Sequence, residues 1–121
     1  MPVRSLNSSV FVWPKRQEVD QAVRNWAAEM VRQHPETRRI AYYGSYARGD
    51  WGVGSDVDLL AVVKDASDPF ERRALSWDLS SLPVPADLVI YTEQEWQRMI
   101  EEESTFVRML AREAVWVYPG D

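Results

Sequence analysis

Asp56 and Asp58 stand two residues apart at the head of the apolar run "DVDLLAVV". Side chains alternate along a strand, so the two carboxylates are expected on one face while Val57 and Leu59 turn into apolar packing. Like charges that close repel, and without a partner one would tend to hold a proton. A divalent cation removes the conflict, and oxygen ligands suit Mg2+ or Mn2+. A third carboxylate, Asp87, opens the later run "DLVIY". If the two runs are neighbouring strands, three carboxylates meet at one end of a sheet. Such a set can hold two metal ions about 3.5–4 Å apart, the arrangement used for in-line displacement at phosphorus.

Just upstream lies "GSYARGDWGVG", residues 44–54, with four of the chain's five glycines. Gly44 would end a strand and allow close backbone approach. Ser45 would begin a short helical turn with free N–H groups, and phosphate binds readily at such a turn. The Ser45 hydroxyl adds a donor and Arg48 a fixed positive charge. Gly49, Gly52 and Gly54 would let the chain double back so that Asp56 faces Gly44 and Ser45. The glycine-rich part could then cradle the phosphate tail of a nucleotide, with the aspartates holding metal ions on it.

The pattern Gly44-Ser45-x-Ala47-Arg48-Gly49, five residues, then Ser55-Asp56-x-Asp58-Leu59 resembles the signature of minimal nucleotidyltransferases of the DNA polymerase beta superfamily. The resemblance covers Ile40 to about Tyr91. It implies that Gly44 and Ser45 bind a triphosphate, with Arg48 and Ser55 in the same nucleotide-binding set. It implies further that Asp56 and Asp58 ligate two Mg2+ ions, with Mn2+ as a substitute. Asp87 would be the third carboxylate, joining the metal set and helping to activate the attacking hydroxyl. The implied reaction moves a nucleoside monophosphate, AMP from ATP, to a hydroxyl and releases pyrophosphate. Larger relatives carry an acceptor domain, but only about 30 residues follow Tyr91, so the acceptor is expected on another chain. Stand-alone members resemble the antitoxin half of toxin–antitoxin pairs whose partner is a helical HEPN-type RNase. A non-catalytic antitoxin that covers its partner, and a homodimeric enzyme acting on an antibiotic-type small molecule, stay open as alternatives.

These residues need a frame. Val19, Ala22, Val23, Trp26, Ala27, Met30 and Val31 fall at helical spacing, and Pro35 ends that helix. Strands are expected over residues 38–44, 56–63 and 86–92, with shorter ones over Val10–Trp13 and in "AVWVYP" near the end. Asp68 as cap, Pro69 at the first helical position and Glu71 reaching back predict a helix to about Leu82. Thr92 with Glu95 predicts a helix through about Glu102, and another is expected over Ser104–Glu113. The order β-α-β-β-α-β-α-α-β predicts an α/β fold, a small mixed sheet with helices packed on it, in one domain over residues 1–121.

Composition narrows the function classes. The 121 residues carry a net charge of −5 and scattered arginines, against nucleic-acid binding, which needs clustered positive charge. Cysteine is absent, which excludes disulfides and thiolate metal sites. No apolar run reaches the length of a membrane span and no signal segment opens the chain; a cytoplasmic protein is expected. His34, the only histidine, would cap a helix end, so a Ser–His–Asp triad has little support. Glu101–Glu103 reads as a solvated face, Asp50 as a solvated residue, and Trp26, Trp77 and Trp96 as core. Trp51, inside the glycine loop, would rim the nucleotide pocket or meet a partner.

Overall fold

Val19, Val23, Trp26, Ala27 and Met30 line one side of an 18-residue helix, α1 (Arg16–Gln33), and all are buried. The Lys15 N–H donates to Glu18 Oε1 at 2.9 Å, which settles a donor the first turn leaves free. At the other end the His34 N–H returns to Met30 O at 2.7 Å. This computed structural model describes residues 13–120. The strand expected over Val10–Trp13 lies outside them except for Trp13, which has no regular structure.

After α1 come β1 (Thr37–Tyr43), a single turn α2 (Ser45–Arg48), and β2 (Val57–Val63). A 3-10 segment (Phe70–Ser76) then precedes β3 (Ala86–Thr92), α3 (Glu93–Glu101), α4 (Thr105–Glu113) and β4 (Val115–Tyr118). The sheet order is β3-β2-β1-β4. β1 runs antiparallel to β2 and β4, while β2 and β3 are parallel, so the sheet is mixed.

β2 is buried along nearly its whole length because both of its faces are covered. Val57, Leu59, Ala61 and Val63 pack with the α1 side chains in one core. Leu60 and Val62 point the other way and meet Trp96 of α3 and Leu110 of α4 in a second. Trp26, Trp77 and Trp96 are all core residues, as expected.

Local chemistry accounts for α3 and α4. The Glu95 N–H donates to Thr92 Oγ1 while the Thr92 N–H donates to Glu95 Oε1 at 2.9 Å, the reciprocal pair anticipated from their spacing. Ser104 Oγ caps α4 by accepting from the Val107 N–H at 3.1 Å. The connection from β2 to β3 departs from expectation. Instead of a helix to Leu82 there is only the 3-10 segment, Pro69 is its cap residue, and no side chain caps it. The Asp68 side chain is not the cap; its carbonyl instead accepts from Arg73 Nε at 3.0 Å. Arg73 also reaches Ile90 O and forks onto Glu95 at 2.6 and 3.1 Å. Those long-range bonds fix the segment where a periodic apolar face would otherwise have had to.

Candidate active site

Residues 58, 60 and 62 of β2 share a face, and Leu60 and Val62 lie under α3 and α4. Asp58 therefore opens on that side, at the start of the strand. The parallel register sets Asp58 beside Asp87 and Leu60 beside Val89. The antiparallel register sets Asp58 opposite Tyr43, the residue before Gly44. Long-range pairing thus brings two of the three aspartates and the glycine loop to one end of the sheet. Asp56 sits just ahead of β2 and is exposed, as is Asp87, while Asp58 is half-buried.

The electrostatics record the crowding. Burial pushes the Asp58 carboxyl above the usual carboxylate range, and the charges of Asp87 and Asp56 push it further. Arg48 opposes the shift and Glu113 adds to it. Tyr43 is pushed up to about 12, first by burial and then by the surrounding charges of Asp58, Tyr91, Asp87 and Glu113.

Gly44 occupies a backbone region, φ 84° and ψ −154°, that is essentially reserved for glycine. A Cβ there would collide with Asp58 Oδ2. The carboxylate against Gly44 is thus Asp58, two residues on from Asp56, which the glycine spacing alone aims there. The difference comes from the Tyr43–Asp58 register, which no local pattern encodes. Ser45 is half-buried at the start of α2. Ser55 closes the glycine loop on itself, its Oγ accepting from the Gly52 N–H at 2.8 Å.

Arg48 does not project alone. Its Nε donates to Asp50 Oδ2 at 3.0 Å and its Nη1 to Glu113 Oε2 at 3.3 Å, so Asp50 is more than a solvated residue. Glu113 Oε2 also accepts from the Gly44 N–H at 2.8 Å. Sequence reasoning missed this glutamate. Its one local signal is an acid in the last turn of a helix, where the dipole disfavours negative charge.

Trp51 stacks on Tyr46 at 5.4 Å with an interplanar angle of 7°. It lines an open groove of about 790 Å3 with Lys15, Arg16 and Tyr42, and none of the three aspartates lines that groove. His34 ends α1, as expected, and its ring stacks on Trp77 at 4.5 Å, with Nδ1 3.8 Å from Glu36 Oε2.

The donor chemistry around Asp58 fits a hard divalent cation: oxygen ligands, crowded negative charge and a carboxyl that is costly to ionise unaided. Among the described residues, however, no three acidic or histidine side chains stand close enough together to enclose an ion. The sheet end supplies ligands without forming a closed cage. Among the described residues no helix is long and apolar enough to cross a membrane.

A paired-carboxylate strand beside a glycine turn on a mixed sheet defines a class, and comparison with known families agrees. The family described as "Nucleotidyltransferase domain" matches residues 23–115, and the chain belongs to it. Among solved structures, a nucleotidyltransferase from Sulfolobus solfataricus is similar with a TM-score of 0.56 and 23% identity, over 69% of this chain and 75% of that one. A toxin–antitoxin structure with AMP-PNP is similar with a TM-score of 0.56 and 24% identity, over 81% and 73%. A toxin–antitoxin structure of MntA-HepT is similar with a TM-score of 0.50 and 21% identity, over 84% and 73%. No curated protein matches. The fold is the polymerase beta-like nucleotidyltransferase fold.

Proposed function

We propose that the chain transfers AMP from ATP to a hydroxyl of a partner protein, and that it is the antitoxin of a helical HEPN-type RNase. The observation that carries the catalytic part is the meeting of Asp58, Asp87 and the Gly44 turn at one sheet end. In this reading Gly44, Ser45 and Arg48 bind the triphosphate, with Ser55 bracing the loop. Asp56, Asp58 and Asp87 would hold two Mg2+ ions, which when bound would neutralise charge on the phosphates. The acceptor oxygen attacks the α-phosphorus, the bond to the β-bridging oxygen breaks, and pyrophosphate leaves. Asp87, exposed at the edge of the cluster, takes the proton from the acceptor hydroxyl. The toxin–antitoxin part is supported by the likeness to structures of such pairs, one of them with AMP-PNP.

ATP labelled at the α-phosphate, incubated with Mg2+, this chain and host-cell lysate as the source of the partner, tests the reading. Label on the partner, lost with Asp58→Asn, is expected. Equal label with Asp58→Asn would sink it.

A second reading, neutralisation by covering the partner, has its own observation. Phe106, Val107, Met109 and Trp116 stay half-buried around the small Leu60–Trp96–Leu110 core, leaving an apolar rim. Under that reading Asp58→Asn would still protect cells from the partner; under the first it would not.

A further inference from the structure

Glu113 is held where a carboxylate has little electrostatic reason to be. It ends α4, where the helix dipole is negative. It also lies close enough to Asp58 to make that group harder to ionise. Two donors offset this: the Gly44 N–H at 2.8 Å and Arg48 Nη1 at 3.3 Å, both on Oε2. The side chain is only 14% exposed. A main-chain N–H that can be approached closely and a guanidinium are a donor pair well matched to a phosphate oxygen. Here that pair is engaged by the protein's own anion.

We propose that Glu113 occupies a phosphate subsite of the glycine loop and is displaced by the triphosphate, so that this carboxylate sets how tightly the chain takes nucleotide. The inference rests on the nucleotide-binding reading above. The backbone on both sides of Glu113 is fixed, because the Ala114 N–H closes on Leu110 O at 2.9 Å and Val115 pairs with Tyr42. Displacement is therefore a rotation of the glutamate side chain, with α4 left in place. Arg48 keeps Asp50 as a partner throughout.

The test is calorimetric titration of the protein with inorganic tripolyphosphate in excess Mg2+. Glu113→Gln keeps the shape and an acceptor oxygen but removes the charge; Glu113→Ala removes both. Each is expected to bind about tenfold or more tightly than wild type, the value of one charge-assisted hydrogen bond no longer in competition. A glutamate that merely braced α4 would give unchanged or weaker binding in both variants, and that result overturns the inference while leaving the nucleotide reading intact. Absence of binding by wild type and both variants would overturn the two together. Wild-type protein supplies a second readout that depends on no variant. The Glu113 Cδ resonance and the Gly44 amide should shift together as tripolyphosphate saturates, the former to the position of a free glutamate. If the Gly44–Glu113 contact persists at saturation, displacement is wrong.

Discussion

Replacing Gly44 by alanine should be costly in two separable ways. The backbone at φ 84° and ψ −154° costs a non-glycine residue about 1–3 kcal/mol. The new Cβ would also collide with Asp58 Oδ2 while standing 3.3 Å from its Cγ. Asp58 must then turn aside, and overpacking of this kind costs about 1–3 kcal/mol more. The combined loss is about 2–4 kcal/mol, allowing for partial relaxation. Gly49 is the internal control. It too has a positive φ, 90°, but a Cβ there meets nothing within 4 Å. Gly49→Ala should therefore cost about 1–2 kcal/mol, the backbone part alone. Urea unfolding at unchanged slope measures both losses, and titration with Mg2+ and an ATP analogue reports the site. Gly44→Ala should lose stability and nucleotide binding; Gly49→Ala should lose the smaller amount of stability and keep binding. Equal losses in both properties would refute the claim that Gly44 exists to admit the Asp58 carboxylate.

Two further expectations follow from the same contacts. Asp58 has a folded-state pKa raised by burial and then by Asp87 and Asp56, so ionising it opposes folding. The contribution of Asp58 to the stability of the metal-free wild type should therefore fall as pH rises through the carboxylate range, against the opposite contributions of Asp20 and Glu95, whose carboxyls are held low. Asp58→Asn should then be more stable than wild type at pH 7 by about 0.2–1 kcal/mol, the usual cost of like charges opposed across a sheet. Thermal melts in chelator should show that advantage vanish towards about pH 3, where both aspartic acid states are protonated, and an Asn variant less stable than wild type at neutral pH would contradict it. Arg73, 10% exposed and forked onto Glu95, should not tolerate Arg73→Lys, because an ammonium cannot reproduce the fork. A loss of about 1.5–3 kcal/mol in urea unfolding is expected, and a change within about 0.5 kcal/mol would show the segment is fixed by something else.

The parts legible in the sequence were those governed by near neighbours. The α1 apolar face, the Thr92–Glu95 capping pair and the unbroken apolar run of β2 each follow from residues within a few positions of one another. The motif spacing pointed to Asp58, Asp87 and Gly44 as one site, and the strand register does bring them to one end of the sheet. What escaped depended on contacts between distant segments. That Asp58 rather than Asp56 faces Gly44 follows from the pairing of Tyr43 with Asp58. The 3-10 segment is placed by Arg73 reaching Ile90 and Glu95, which overrode a plausible Asp-Pro helix start. Glu113 lies 69 residues from the N–H it accepts from, and no local pattern announces such a bond. Trp51, expected to rim the nucleotide pocket or meet a partner, stacks on Tyr46 and lines the groove beside Lys15 and Arg16, a placement set by the fold around it.

In the proposed function the sheet end carrying Asp58 and Asp87 takes a metal-bound triphosphate. Paramagnetic Mn2+, added at trace levels with an ATP analogue to isotopically labelled protein, tests it directly. Amide signals of Gly44, Asp58 and Asp87 should broaden first, and Asp58→Asn should abolish the effect. Broadening centred instead on Glu101–Glu103, or on Asp65 and Asp68, would place the metal elsewhere and contradict the account.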